Sequence, residues 1–175
     1  MLKEISVYIT CCRWRKEVAF QSEELRDLQF SDVKFDNVKK YTYAITEFTL
    51  EYLSNIKRHN NGIRLEVILC GTRKMIALNK AYRGLNKSTN VLSFSQIIKN
   101  SENNDELIGD LYICHKPIVD EISELNVTFL HRFTQLIVHG ILHITGYDHD
   151  NKSSADEMEL IEDMLMNKIG FSKFY

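Results

Sequence analysis

An α/β fold is expected from this chain, with four strands flanked by about five or six helices. Three observations lead there. Strand-like and helix-like patterns alternate along the sequence. The stretch IRLEVILC, residues 63–70, becomes apolar on both faces towards its end, as a central strand covered by helices on both sides would. From Leu136 a late helical stretch is apolar nearly all round, so it should be buried. With 175 residues, 44% of them hydrophobic, the chain can bury roughly 70% of its unfolded surface in one core without disulfides. Residues 1–175 are therefore expected to form one domain.

Ile5, Val7 and Ile9 alternate with polar neighbours, the period of a half-buried strand. From about Val33 to Ile56 a helix is expected, with Phe35, Val38, Tyr41, Ala44, Ile45, Phe48 and Tyr52 on one side; residues 15–32 fit neither pattern well. Thr72 is placed to cap a helix through Met75, Ile76 and Asn79 to Tyr82, which Gly84 should stop. NVLSF and LIGDLYIC read as two further strands around a polar surface loop, Lys99 to Glu106. Pro117 suits a helix's first turn, where Asp120 and Glu121 would favour the positive end of the dipole, and that helix should end near Asn126. Thr128 then caps the buried helix, and a final helix starts near Ser154 with Met158, Ile161 and Leu165 on one face.

The formal charge of −2 gives no overall attraction to nucleic acid, so a polyanionic partner would need a local basic patch. Cys11, Cys12, Cys70 and Cys114 lack a CxxC spacing, and a reduced, cytoplasmic setting fits them best. No apolar run reaches the ~18 residues of a membrane span, and the N-terminus has no long apolar segment typical of a signal peptide, so no membrane partner is expected.

The stretch VHGILHITGYDH, Val138 to His149, carries the chemistry. On a helix His139 and His143 lie one turn apart on one face, and Gly146 can reverse the chain so that His149 returns to them. Neutral imidazoles bind zinc at about 2.0–2.1 Å, and three protein ligands leave a fourth position open, as in catalytic sites. A water there would ionise near pH ~7. The spacing follows the metzincin pattern HExxHxxGxxH except that Gly140 stands where the peptidases carry their general-base Glu, which disfavours an ordinary zinc peptidase. Isolated buried histidines usually just hydrogen-bond to backbone, but three at this spacing would leave several desolvated nitrogens that one metal ion satisfies together. Copper, nickel or iron would also accept imidazole. Asp148 and Asp150 could orient a ring or accept a proton, although acids in such turns often only solvate them. Tyr147 reads as packing. His59, His115 and His131 read as solvated or capping residues, with His131 a weak candidate to back His139.

Between Ile56 and Lys87 eight basic residues (Lys57, Arg58, Arg64, Arg73, Lys74, Lys80, Arg83, Lys87) face one acid, Glu66. Such runs are usually solvated faces, but this one precedes the metal cluster. LNKAYRGLNKSTNVLSFS, IGDLYIC and HRFTQLIVHGILHITGYDHD occur in the order and spacing of the YbeY family, metal-dependent endoribonucleases of bacterial rRNA maturation, and EMELIEDMLMNKIGF is similar to its C-terminal helix. The resemblance spans about residues 63–171. It implies a mixed, mostly parallel sheet, one zinc ion per chain held by His139, His143 and His149, and a catalytic Arg83. It further implies endonucleolytic cleavage of single-stranded RNA, maturation of the 3′ end of small-subunit rRNA, ribosome quality control, and the ribosomal small subunit as partner. Arg83 suits such a role, since a permanently charged fork matches phosphate oxygens and offsets charge developing in the transition state. The family's usual Lys-Asp-x-Pro-Thr-Asp is here Leu85 to Asn90, and its following Pro is Ser95, so the loop beside Arg83 is expected to be more mobile. Two alternatives remain open at this point: an rRNA- or ribosome-binding assembly factor with a structural metal, and a metal hydrolase of a non-RNA substrate.

Overall fold

The computed structural model describes residues 3–16, 37–56, 62–99 and 105–171. Along the chain run strand β1 (Lys3–Ile9), a single turn α1 (Arg13–Lys16), helix α2 (Val38–Ile56), β2 (Gly62–Cys70), α3 (Thr72–Arg83), β3 (Val91–Ile98) and β4 (Glu106–Cys114). Helices α4 (His115–Leu125), α5 (Phe129–Ile144) and α6 (Lys152–Ile169) follow. The four strands form one sheet in the order β1-β2-β4-β3. β1, β2 and β4 are parallel, with Val7 opposite Val67 and Val67 opposite Leu111, while β3 runs antiparallel along β4. The sheet is thus mixed and mostly parallel, as expected. The expected start of α2, at residues 33–36, and His59 lie outside the described residues.

Alternation along the strands divides the core. Leu65, Val67, Leu69, Leu111 and Ile113 face α2, α5 and α6, joining Tyr41, Ile45, Phe133, Ile137, Ile141, Ile161 and Leu165 in the main core. Ile68, Cys70, Leu92 and Cys114 point to the other face, where Met75 of α3 covers them. All four cysteines are free thiols. Trp14, fully buried, donates from Nε1 to the Cys70 carbonyl oxygen at 2.9 Å, tying α1 to the end of β2. Among the described residues no helix is long and apolar enough to cross a membrane.

Some local expectations change. Gly71, not Thr72, precedes α3, and no side chain caps that helix. A Cβ at Gly71 would lie 3.1 Å from Cys11 Sγ, so a larger residue there would have to push Cys11 aside. Helix α6 does start near Ser154, as expected: Asn151 caps it and Ser154 completes a reciprocal capping box. His115 is neither solvated nor a cap: it is the first residue of α4, and its buried ring sits edge-on to Trp14 at 5.3 Å. Pro117 falls in the first turn of α4, Asp120 and Glu121 fall beyond it, and Asn126 ends the helix in the left-handed conformation. Thr128 caps α5 by accepting from His131 N at 3.1 Å, as expected.

The packing of α5 on the sheet decides where the histidines sit. A Cβ at Gly140 would lie 2.2 Å from Leu111 Cδ1 and 3.1 Å from Ser93 Oγ, and one at Gly109 of β4 would lie 2.6 Å from Ile144 Cγ2. Each glycine is the hole for a side chain of the other element. The helix therefore sits low against β3 and β4, with the histidine face of α5 beside the start of β3.

Candidate metal centre

His139 and His143 occupy consecutive turns of α5, with ring centroids 4.7 Å apart. The helix ends where Gly146, at φ +91°, turns the chain back, and Tyr147 N donates to Leu142 O at 3.0 Å across the turn. Buried Tyr147 anchors that turn. Two residues later His149 brings its ring to 5.0 Å from His143 and 6.1 Å from His139. One nitrogen from each of the three rings lies within 4.8 Å of the others. The expected convergence is therefore present.

The tautomers can be derived. Glu162 of α6 places Oε2 2.8 Å from His139 Nδ1. A carboxylate only accepts, so Nδ1 carries a hydrogen, and in the neutral ring Nε2 then presents its lone pair. That Nε2 lies 3.1 Å from His143 Nε2. Two ligands of a tetrahedral ion with 2.0–2.1 Å bonds are separated by about 3.3–3.4 Å, so this pair already has a coordination spacing. His149 is the exposed member of the three. Burial pushes the His143 pKa down, the charges of His139 and His149 push it the same way, and Asp148 opposes them. The net lowering favours the neutral ring that a metal ion needs. These residues fit a first-row divalent cation.

Behind His139 stands a network that sequence reasoning missed. Glu162 Oε1 accepts from Gln135 Nε2 at 2.8 Å, Gln135 Oε1 accepts from Arg132 Nη1 at 2.7 Å, and Arg132 Nε donates to Glu121 Oε2 at 2.8 Å. Asn90 Nδ2 donates to Glu121 Oε1 at 2.9 Å, while Asn90 Oδ1 accepts from Val91 N at 2.7 Å. Burial alone would raise the Glu162 pKa, but the hydrogen bonds from His139 and Gln135 and the charges of His139 and Arg132 outweigh it, and the carboxyl stays below its ordinary range. A signal was present. Glu162 sits four residues after Met158 and next to Ile161 on the face α6 buries, where an unpaired acid would be costly. His131 does not back His139; its ring packs on Phe171 at 5.1 Å. Asp148 Oδ1 accepts from His149 N at 2.7 Å and lies 3.9 Å from Nδ1 of both His143 and His149; its charge acts on the His143 ring. Asp150 is exposed.

Arg83, at the C-terminus of α3, shares with the three histidines a cleft of about 460 Å³ whose wall is Thr89 to Ser93. Gly84, at φ +70°, ends the helix there. The loop after it is fixed at several points: Asn79 Nδ2 donates to Lys87 O at 2.7 Å, and Cys114 N donates to Asn90 O at 2.8 Å. Asn90 thus takes over a pinning role in a loop that lacks proline.

A family model described as Endoribonuclease YbeY matches residues 27–170. A protein named Endoribonuclease YbeY from Buchnera aphidicola subsp. Schizaphis graminum is 39% identical over 119 residues, covering 68% of this chain and 73% of the relative. Another of that name from Bartonella bacilliformis is 33% identical over 139 residues, covering 78% and 88%. The solution structure of TM1509 from Thermotoga maritima aligns with a TM-score of 0.45 at 27% identity, covering 72% of this chain and 84% of that one. With a family match over most of its length and curated relatives above 30% identity, the chain belongs to the endoribonuclease YbeY family.

Proposed function

We propose that this protein is a zinc-dependent endoribonuclease that cuts single-stranded RNA, with Arg83 as a catalytic residue and His139, His143 and His149 as the ligands of one zinc ion. The convergence of three imidazole nitrogens at the floor of a cleft that also holds Arg83 carries this reading. The names of the family relatives support the choice of RNA as substrate. In the cell the reaction is maturation of the 3′ end of small-subunit rRNA and ribosome quality control, in the cytoplasm on the ribosomal small subunit.

When bound, zinc supplies Lewis acidity at the reacting phosphate and lowers the pKa of a nucleophile. The chain's own residues do the rest. Glu162 holds the hydrogen of His139 at Nδ1 and turns Nε2 into the cleft. The Asp148 carboxylate lies 3.9 Å from Nδ1 of both His143 and His149 and adds negative charge beside the ligand set. Arg83 binds the scissile phosphate through its fork and neutralises charge that grows there in the transition state. Gly140 offers no carboxylate, so the proton acceptor of a peptidase is absent from its usual position.

Purified protein freed of any histidine tag is incubated with single-stranded RNA, with and without chelator, beside His143→Ala and Arg83→Ala. Cleavage that disappears on chelation and in both variants supports the assignment. Cleavage unchanged in all three cases refutes it, and unfolding on chelation with cellular rRNA processing normal in Arg83→Ala would favour a structural metal instead.

A further inference from the structure

We propose that Tyr82, seated on Phe94, is a base-stacking platform for the nucleotide next to the phosphate held by Arg83; the proposal rests on reading the cleft as an RNA site. At 67% exposure Tyr82 is the most exposed large apolar side chain among the described residues. It is nevertheless held in place. Its ring centroid lies 4.6 Å from that of Phe94, which in turn meets Tyr112 edge-on at 6.0 Å. One side of the ring is backed by other aromatics while the rest faces solvent, as a stacking platform requires.

Its position ties it to the cleft. Tyr82 directly precedes Arg83, and Phe94 directly follows Ser93, a residue of the cleft wall. Alternation along β3 turns Ser93 towards α5 and the histidines and Phe94 to the opposite face of the sheet. Because β3 is an edge strand, a polymer leaving the cleft can pass round that edge from Arg83 to Tyr82. The charges along this path suit a polyanion: α3 carries Arg73, Lys74, Lys80 and Arg83 and no acid, and Lys74 Nζ lies 5.8 Å from the Tyr112 ring centre. Asp110, paired with Phe94 across the strands, and Glu66, paired with Asp110, put negative charge beside Phe94 that a phosphate would avoid. Unpaired RNA offers free base faces that a duplex keeps stacked, so such a platform would also favour single strands. A protein partner could use an exposed tyrosine too, but the basic helix beside the cleft favours the nucleic acid.

The test compares full-length protein binding to a short oligoadenylate and to an abasic ribose-phosphate oligomer of the same length, over a series of salt concentrations. Wild type should prefer the oligoadenylate by roughly 5- to 150-fold. Tyr82→Ala should abolish most of that preference without changing the affinity for the abasic oligomer or the salt slope, and Tyr82→Phe should retain it. Arg83→Ala should weaken both oligomers alike and flatten the salt slope. Tyr82→Ala that keeps the base preference, or that weakens both oligomers equally, overturns the platform. Wild type that binds neither oligomer overturns the RNA reading and the platform with it, whereas equal binding of both overturns the platform alone.

Discussion

Replacing Glu162 by Gln should weaken zinc binding while leaving all three ligands in place. The carboxylate accepts from His139 Nδ1 and Gln135 Nε2, each at 2.8 Å, from a position only 14% exposed. An amide has one accepting oxygen, so one of these donors would face an NH₂ group, and the charge assistance is lost in either orientation. A hydrogen bond to a charged group contributes about 1.5–3 kcal/mol, and buried Glu162 lies towards the upper part of that range. If most of that loss falls on the orientation and basicity of His139, the zinc dissociation constant rises roughly 10- to 100-fold. Competition of tag-free protein against a chromophoric zinc chelator at neutral pH measures it, with circular dichroism confirming the fold. Unchanged affinity in a natively folded variant would refute the orienting role of Glu162.

Other perturbations act on packing, charge and protons. Gly140→Ala should destabilise by roughly 1–2 kcal/mol, because a methyl group 2.2 Å from buried Leu111 Cδ1 costs more than the ~1 kcal/mol of helix propensity it adds; the urea midpoint reports it. Arg83→Ala should lower kcat on single-stranded RNA by about 10²–10³-fold with no change in Tm, since Arg83 is exposed, and Arg83→Lys should recover only part, keeping charge without the fork. The pKa values of His143 and His131 are lowered mainly by burial, so on acidification the unfolded chain takes up these protons before the native one does. The metal-free protein is therefore fully stabilised above pH ~6.5 and loses stability as the pH falls from there through the lower folded values. Glu162, also lowered, adds a loss at more acid pH, complete once the pH has fallen through its folded value. Urea midpoints across this range should fall with pH, and His131→Gln should make the decline shallower.

The parts of this protein that were legible are those set by short-range spacing. His139, His143, Gly146 and His149 follow from one helical turn and one reversal, and the apolar faces of β2 and α5 follow from the strand and helix periods. Errors occurred where a neighbour distant in sequence decided the outcome. Cys11 crowds Gly71 from 60 positions away, and Trp14 and Phe129 draw His115 into the core. Glu162 meets His139 across 23 residues only because α6 packs against α5, and no periodicity specifies which acid of α6 will face which histidine. The family resemblance implied a mixed sheet but not which strand is reversed, since strand patterns alone carry no sign of parallel or antiparallel pairing.

Gly140 also bears on what this scaffold could become. A side chain there would press on Leu111 and Ser93 from its first carbon onwards, so a glutamate would meet the sheet before it could act as a base. Acquiring peptidase chemistry would therefore require a change in the bed of α5, at Leu111, together with the new acid.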